Sequence, residues 1–186
     1  MTSTLTSIQQ ACTAQCRVDS PLGPLLLART AQGLAGVWFD NQQHHPAPWS
    51  APHRASDELL QRTAAQLARY FNGEAVAFDV PLDLHGTPFQ RSVWHALLRI
   101  ERGATRRYGD IATQLGVPGA SRAVGAAVGR NPVSIIVPCH RVLGAGGALT
   151  GYAGGLARKV ALLDIERVPR KVVRSARAGL PAGAAT

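Results

Sequence analysis

The spacing of apolar residues in the first half of the chain predicts four short strands. Apolar runs begin near Gln15 and cover Leu25–Arg29 and Leu34–Phe39, and Gly33 lies between the last two, as is typical of a β-hairpin. Residues Phe78–Leu84 alternate well enough between apolar and polar types to predict a fourth strand. These patterns indicate a small sheet in the N-terminal half.

Apolar residues at helical spacing predict five helices, and capping residues mark their ends. Ser56-Asp57-Glu58 begins the first helix and Asn72-Gly73 ends it. The second begins at Thr87-Pro88, an N-cap residue followed by the residue favoured in a first turn. The other three helices are predicted over residues 108–116, 120–129 and 158–166.

A Gly-Thr-Pro sequence at residues 86–88 separates two halves and predicts a domain boundary. Residues 15–84 are predicted to form an N-terminal α/β scaffold domain, and residues 85–169 a C-terminal domain that carries the chemistry. The Ser/Thr/Gln/Ala-rich residues 1–14 predict a disordered N-terminus, and the Ala/Gly/Arg-rich residues 170–186 predict a disordered basic tail.

Charge is distributed unevenly between the halves. The net charge of the chain is +9; residues 1–83 hold five arginines against seven acids, −2, whereas residues 84–186 hold fifteen lysines and arginines against four acids, +11. A basic half of this kind favours a polyanionic partner, nucleic acid first.

Three features of the sequence predict a cytoplasmic protein. No apolar run is long enough to span a bilayer, so no membrane partner is expected. Residues 1–16 lack the basic region and apolar core of a signal peptide. Cys12, Cys16 and Cys139 are an odd number of cysteines, which suits a reducing compartment.

The stretch Ile135–Val142 combines an apolar run with reactive side chains. Ile135–Val137 predicts a buried strand that Pro138 ends, which places Cys139 at the mouth of the strand. A free thiol has a pKa of about 8.5, and a neighbouring base or cation changes the thiolate fraction. Cys139 and His140 would point to opposite faces of a strand, so their contact needs a turn or a bridging water. Cys139 as a small buried hydrophobe remains the alternative.

The helices over 108–116 and 120–129 lie across the turn Val117-Pro118-Gly119 and resemble a helix-turn-helix. The second helix is composed of small residues with one cation, Arg122. Because a minor groove is about 6 Å wide and a helix with side chains about 10–12 Å across, such a helix suits minor-groove binding without base-specific contacts. A plain αα-hairpin in a core is the alternative.

Glycine-rich loops follow Cys139. Gly144–Gly147 and Gly151–Gly155 have no following Gly-Lys-Ser/Thr, which excludes a P-loop, and Tyr152 among the glycines favours the wall of a pocket for a flat ring. His44, His45 and His53 lack metal-ligand spacing and predict a solvated loop.

Taken in order, these motifs resemble one known family. They are Thr-Pro-Phe-Gln-x-x-Val-Trp from Thr87, Tyr108, Arg122 in its Ala/Gly helix, Asn131-Pro132, Ile136–Val142, Gly151-Tyr152-x-Gly-Gly and Glu166. Their order and spacing over residues 15–168 resemble the methylated-DNA–protein-cysteine methyltransferases, the O6-alkylguanine-DNA alkyltransferases. The resemblance implies an α/β fold class, with an N-terminal ribonuclease-H-like α/β domain and a C-terminal winged-helix-type helix-turn-helix domain.

The resemblance also implies roles for residues of this sequence. Cys139 is expected to accept the alkyl group irreversibly, with His140 as a water-mediated base and Glu166 orienting the imidazole. Asn131 is expected to tie the helix over 120–129 to the strand that precedes Cys139. Arg122 is expected to fill the gap left by a flipped nucleotide. The expected substrate- and DNA-binding residues are Tyr108, Ser121, Arg122, Ala123, Gly125, Val142, Tyr152, Ala153 and Gly154.

The expected partner is double-stranded DNA containing O6-alkylguanine, bound by a monomer through its minor groove, with no cofactor. O4-alkylthymine as a substrate and cooperative binding on DNA are left open. Ala153 stands where some members carry a serine that bonds the guanine O6, so that contact would fall to backbone N–H groups. Thr30 and Ala35 occupy two places where animal members bind zinc, so no metal is expected.

Three other functions are alternatives for this sequence. Non-catalytic alkyltransferase-like proteins replace the acceptor cysteine, and Cys139 is present. A helix-turn-helix transcription regulator would need base-reading side chains, and its binding would depend on sequence as well as on salt. A Cys-His-Glu amide hydrolase would turn over without DNA.

Overall fold

Three antiparallel strands form the sheet of the N-terminal half. In the computed structural model, which describes residues 4–46 and 50–169, the sheet has the order β1-β2-β3. The strands are β1 (Ala14–Val18), β2 (Leu25–Arg29) and β3 (Leu34–Phe39). Cys16 lies opposite Leu27, which lies opposite Val37. The three predicted strands and the hairpin at Gly33 are confirmed. Gly33 is required there, since a Cβ would lie 2.5 Å from the carbonyl oxygen of Pro81.

A helix, α1 (Thr4–Ala11), covers one face of this sheet. The prediction of a disordered terminus over residues 1–14 is wrong for this stretch, while residues 1–3 lie outside the described residues. Ile8 is fully buried and anchors the helix on apolar residues of β2 and β3, namely Leu26, Ala28, Ala35 and Trp38. One apolar residue in a polar stretch supplies the contact, which composition alone does not reveal.

The opposite face of the sheet packs against α2 (Glu58–Phe71). Asp57 caps the helix by accepting a hydrogen bond from the backbone N–H of Leu60, and Asn72-Gly73 ends it, as predicted. Since both faces of the sheet are covered, its strands are apolar almost throughout.

The predicted strand Phe78–Leu84 is wrong. This segment lies beside β3 but makes a single bridge, between Leu82 and Leu34. The backbone N–H of Leu34 donates to the Pro81 carbonyl at 2.8 Å, and that of Asp83 donates to the Leu34 carbonyl at 2.9 Å. Pro81 has no N–H to donate, which prevents a regular ladder at this point.

The C-terminal half is mainly helical. Its helices are α3 (Pro88–Leu97), α4 (Tyr108–Gln114), α5 (Ser121–Gly129) and α6 (Leu156–Ile165). Thr87 and Gln90 form a capping box at the start of α3. The strands β4 (Arg106–Arg107) and β5 (Val142–Leu143) form a parallel pair. All four predicted helices are confirmed, including the two across the turn at residues 117–119.

The segment Ile135–Val137 is a buried turn and not the predicted strand. Ile135 has φ 72°, and the backbone N–H of Val137 donates back to the Val133 carbonyl at 3.0 Å. The apolar run is buried because it packs beside β3, where Val133 bridges to Val37. Its backbone hydrogen bonds are largely local, and burial of an apolar run does not distinguish a turn from a strand.

Both halves contribute to one hydrophobic core. Val37 and Phe39 of the sheet belong to the same cluster as Trp94, Val124 and Val137 of the C-terminal half. The segment that carries Cys139 is therefore held from both sides. Among the described residues, no helix has the length and apolar character needed to cross a membrane.

Candidate active site

Cys139 lies in a single 3-10 turn, Cys139–Arg141, directly after Pro138. Its side chain is buried, and its Sγ lies 3.1 Å from Nδ2 of Asn131, which donates to the sulfur. Burial raises the pKa of the Cys139 thiol, although the Asn131 hydrogen bond and the charge of Lys159 act in the opposite direction. The resting group is therefore a thiol, and a base must take its proton before it can act as a nucleophile.

Asn131 links the end of α5 to the Cys139 turn. The Nδ2 group of this buried residue also donates to the Val137 carbonyl at 2.8 Å, and its Oδ1 accepts from the Val133 N–H at 3.0 Å. The turn and the sulfur are thus held by one side chain. Because this amide bonds to Sγ, a movement of α5 would change the position of the Cys139 thiol.

His140 is fully buried and forms a pair with Glu166. Its Nε2 lies 2.8 Å from Oε1 of Glu166. A carboxylate at this distance favours the proton on Nε2, which leaves Nδ1 as the free acceptor. In the described part of the chain, Nδ1 has no hydrogen-bond partner. Burial lowers the pKa of His140 despite the opposing effect of Glu166, so the imidazole is neutral and available as a base.

Glu166 lies just after α6 and is the acceptor for three side chains. Arg141 donates from Nε to Oε2 and from Nη2 to Oε1, each at 2.8 Å, and the Tyr70 hydroxyl donates to Oε1 at 2.8 Å. Burial alone would raise the pKa of Glu166, but His140 and Arg141 outweigh it and hold the pKa well below its usual range. The carboxylate is therefore ionised, and Arg141 balances its charge.

Lys159 is a site residue that the sequence reasoning missed. It is fully buried, and its Nζ donates to the carbonyls of Val142 at 2.6 Å and Thr150 at 2.8 Å. It thus clamps the loop at Thr150 to the chain that follows Cys139. Burial lowers the pKa of Lys159 to about 8, against the opposing effect of Cys139. The signal was its spacing with Leu162, Leu163 and Glu166 on one buried helix face.

The N-terminal half supports the loop of Tyr152, Ala153 and Gly154. The Ala153 carbonyl accepts from the N–H of Gln43 at 2.8 Å. A Cβ at Gly154 would lie 2.7 Å from the Tyr152 ring and 3.3 Å from Phe39, so only glycine fits. Tyr152 is buried, and this burial is the main reason why its pKa lies well above the usual value. Val142 is buried in β5.

Tyr108 connects α4, α5 and the glycine-rich loop. Its hydroxyl lies 3.4 Å from the carbonyl oxygens of Thr150 and Gly151, and a Cβ added at Gly125 would contact its ring at 3.7 Å. Burial raises the pKa of Tyr108. The phenol is therefore neutral beside the buried thiol.

One face of α5 is exposed and consists of small residues and a single arginine. Arg122 and Ala123 are exposed, Ser121 is partly exposed, and Val124 packs inward. These residues lie on the surface, whereas Cys139, Asn131, His140, Glu166 and Lys159 are buried together. The predicted site residues thus form a buried reaction centre and a separate surface helix, joined by Asn131.

The described residues contain no group of three or more His, Cys, Asp or Glu side chains arranged to bind a metal ion. Thr30 donates to Asp83 at 2.6 Å, and Nε2 of His85 lies 2.8 Å from the same carboxylate.

Comparison with known proteins assigns both halves. Residues 88–168 match the family model of the 6-O-methylguanine DNA methyltransferase, DNA binding domain, and residues 17–84 match that of the ribonuclease-like domain of the same enzymes. The fold and the site therefore define a two-domain protein, with a ribonuclease-like sheet domain and a helical DNA-binding domain that carries a buried cysteine. The predicted α/β fold class is confirmed.

Individual relatives agree with this class. A Mycobacterium tuberculosis protein named methylated-DNA–protein-cysteine methyltransferase is 52% identical over 151 residues, 81% of this chain and 90% of the relative. A Methanosarcina acetivorans protein of the same name is 50% identical over 151 residues, 80% and 94% of the two chains. The crystal structure of M. tuberculosis OGT in complex with DNA superposes with a TM-score of 0.75 at 49% identity, covering 86% of this chain and 97% of the other. The chain belongs to the methylated-DNA–protein-cysteine methyltransferase family.

Proposed function

We propose that this protein repairs DNA by direct reversal, transferring the alkyl group of O6-alkylguanine in double-stranded DNA to Sγ of its own Cys139. The observation that carries the proposal is the buried Cys139 thiol next to the His140–Glu166 pair, in a chain of this family. The two domains are taken as residues 15–84 and 85–169, in keeping with the matched ranges 17–84 and 88–168.

The chemistry begins with removal of the thiol proton. Nδ1 of His140 accepts this proton through one water, and the ionised Glu166 stabilises the resulting imidazolium. Sγ of Cys139 then attacks the alkyl carbon in line, so that the S–C bond forms as the bond from carbon to guanine O6 breaks. The guanine anion that leaves takes up a proton from solvent, and the imidazolium of His140 returns its proton to solvent. A thioether has no proton to lose and is a weak acceptor, so the alkyl group stays on sulfur and each protein reacts once.

The DNA is bound through the minor groove by α5. The exposed face of this helix offers small residues, which allow close approach, and Arg122, which replaces the flipped nucleotide in the stack. Tyr108 and the Tyr152 loop receive the flipped base. Flipping costs a few kcal/mol, which stacking and pocket hydrogen bonds offset. The charge of +11 over residues 84–186 supports binding to the phosphate backbone.

The active form is a monomer that works in the cytoplasm. All three cysteines are free thiols, as suits a reducing compartment. Sedimentation velocity of the purified protein at micromolar concentration tests whether it is a monomer. A boundary that sediments at the rate of a dimer would contradict this statement.

The test of the reaction follows a labelled methyl group. Duplex DNA containing O6-methylguanine with an isotope-labelled methyl is mixed with wild-type protein, Cys139→Ser or Cys16→Ser. Cys16 is the matched control because it is also a buried free thiol. The label is expected on the peptide of Cys139 in wild type and in Cys16→Ser, and on no residue in Cys139→Ser. Label on the Cys139→Ser protein would contradict the proposal.

A further inference from the structure

One hydrogen bond on the catalytic carboxylate comes from the N-terminal half. The Tyr70 hydroxyl, near the end of α2, donates to Oε1 of Glu166 at 2.8 Å, across 96 residues of sequence. Both side chains are buried. Burial, together with the charge of Glu166, raises the pKa of Tyr70 far above its ordinary value, so the hydroxyl keeps its proton and acts as a permanent donor.

The Tyr70 hydroxyl shares its acceptor with the proposed base. Oε1 of Glu166 lies 2.8 Å from three donors, which are Nε2 of His140, Nη2 of Arg141 and the hydroxyl of Tyr70. Oε2 accepts from Nε of Arg141. Arg141 balances the charge of the carboxylate, whereas Tyr70 adds no charge. The contribution of Tyr70 is therefore directional: it fixes where Oε1 lies and shares the electron density that Oε1 offers to His140.

Arg102 holds the ends of the two helices together around this contact. Its guanidinium donates to the carbonyls of Gly73 at 2.9 Å and Glu74 at 2.7 Å, just beyond α2, and to the carbonyl of Ile165 at 2.8 Å, the last residue of α6. The same guanidinium lies 5.5 Å from the centre of the Tyr70 ring. The residue before Glu166 and the helix that carries Tyr70 are thus fastened to one side chain.

A purely structural explanation is that a buried tyrosine simply needs one acceptor. The ring of Tyr70 packs edge-on against Phe71 at 5.6 Å and lies 5.9 Å from Phe78, contacts that phenylalanine would keep. The two explanations differ in one consequence. If the bond to Glu166 only provides the buried hydroxyl with an acceptor, removal of the hydroxyl changes stability and leaves the proton chemistry of His140 unchanged.

We propose that Tyr70 is a positioning residue for alkyl transfer, which orients Glu166 toward Nε2 of His140 so that the ribonuclease-like domain supplies part of the catalytic machinery. This inference rests on the proposed function. The N-terminal half then has a part in the reaction in addition to supporting the fold.

The substitution Tyr70→Phe changes the base in a defined direction. With one donor fewer, Oε1 of Glu166 becomes a stronger acceptor for His140, so the imidazole becomes more basic. At the same time the carboxylate is held less firmly. The other groups that act on His140 or on the hydroxyl are retained, namely Glu166, Arg141, Lys159 and Arg102.

The experiment compares Tyr70→Phe with a matched control on the same helix. Thr63 is fully buried, and its hydroxyl donates to the Leu59 carbonyl at 2.7 Å within α2, so Thr63→Val removes a buried hydroxyl at a distance from the carboxylate. For each protein, the single-turnover rate on O6-methylguanine duplex is measured from about pH 5 to pH 9, together with the thermal midpoint and the DNA dissociation constant.

We expect Tyr70→Phe to slow transfer by about tenfold, the equivalent of one hydrogen bond to a charged group. The acid limb of its rate profile should move to higher pH, with unchanged DNA affinity. Thr63→Val should keep the wild-type profile even where its thermal midpoint falls. A wild-type rate and profile for Tyr70→Phe, or the same change in Thr63→Val, would overturn the inference alone. Absence of transfer in the wild type would overturn the proposed function, and the inference with it.

Discussion

Replacing Glu166 with glutamine alters the buried reaction centre with almost no change of shape. The carboxylate accepts hydrogen bonds from His140, Arg141 and Tyr70. In Glu166→Gln the amide keeps one acceptor oxygen but presents an NH2 group to the remaining donors. Arg141 loses its counter-charge, and the imidazolium formed during transfer loses the anion that stabilises it.

The magnitude follows from these contacts. Removing one partner of a buried ion pair costs about 3–5 kcal/mol of folding free energy, because the other charge is left uncompensated. General base catalysis contributes about 10²–10⁴-fold to a rate. Since Glu166→Gln keeps the imidazole but weakens it as a base, we expect transfer to slow by on the order of 100-fold. DNA binding should be unchanged, because Glu166 is buried away from the surface of α5.

The stability difference should also depend on pH. The pKa of Glu166 is far lower in the folded protein than its ordinary value, which is about 4.3 in an unfolded chain. The carboxylate therefore stabilises the fold fully above about pH 4.3, and this contribution is lost as the pH falls toward the folded-state pKa. Glu166→Gln has no such titration, so its deficit relative to wild type should shrink below about pH 4.

Two assays check this prediction. Urea unfolding at about pH 7 and about pH 3.5 measures the stability deficit, and single-turnover transfer on O6-methylguanine duplex measures the rate at a fully folded pH. A transfer rate equal to that of wild type would remove Glu166 from the mechanism. A stability deficit that is the same at both pH values would refute the ionised state assigned to its carboxylate.

Three further predictions concern the DNA helix, the buried lysine and the reaction product. Arg122→Ala should slow repair of duplex DNA far more than the reaction with free O6-benzylguanine, because only the duplex leaves a gap to fill; equal losses on both substrates would assign Arg122 to folding or to the pocket. Lys159→Met removes the ammonium group that donates to the Val142 and Thr150 carbonyls, so urea unfolding should show a loss of about 2–3 kcal/mol, and the thiol of Cys139 should react more slowly with iodoacetamide. An unchanged free energy of unfolding would contradict the clamp. Methylation of Cys139 should lower the thermal midpoint of the protein, since an extra methyl in a packed site costs about 1–3 kcal/mol. An equal or higher midpoint would contradict tight packing around Sγ.

Much of the fold could be predicted because residues close together in the sequence determine it. Capping residues at Asp57 and Thr87 fixed the starts of α2 and α3, and the apolar runs located β2 and β3. Two of the errors have a common cause, which is that distant partners decide whether a residue is buried. Ile8 forms a helix anchor because β2 and β3 lie beneath it, and Val137 is buried in a turn because the turn packs beside β3.

The site was only partly predictable for the same reason. Cys139, His140, Asn131 and Glu166 could be placed together only through the resemblance of their motifs to those of the family. The contact between Tyr70 and Glu166 spans 96 residues and has no local signal. A lysine in an amphipathic helix is ordinarily expected at the surface. Lys159 is buried instead because it bonds the carbonyls of Val142 and Thr150, which come together only in the folded chain.

Cys139 is proposed to take one alkyl group and to keep it. The most direct measurement titrates the protein with excess O6-methylguanine duplex and follows the repaired lesions by quantitative mass spectrometry, with the protein digested at the end point. We expect one repaired lesion per active protein molecule and one methyl group, on Cys139. More than one lesion repaired per protein, or the methyl on any other residue, would contradict it.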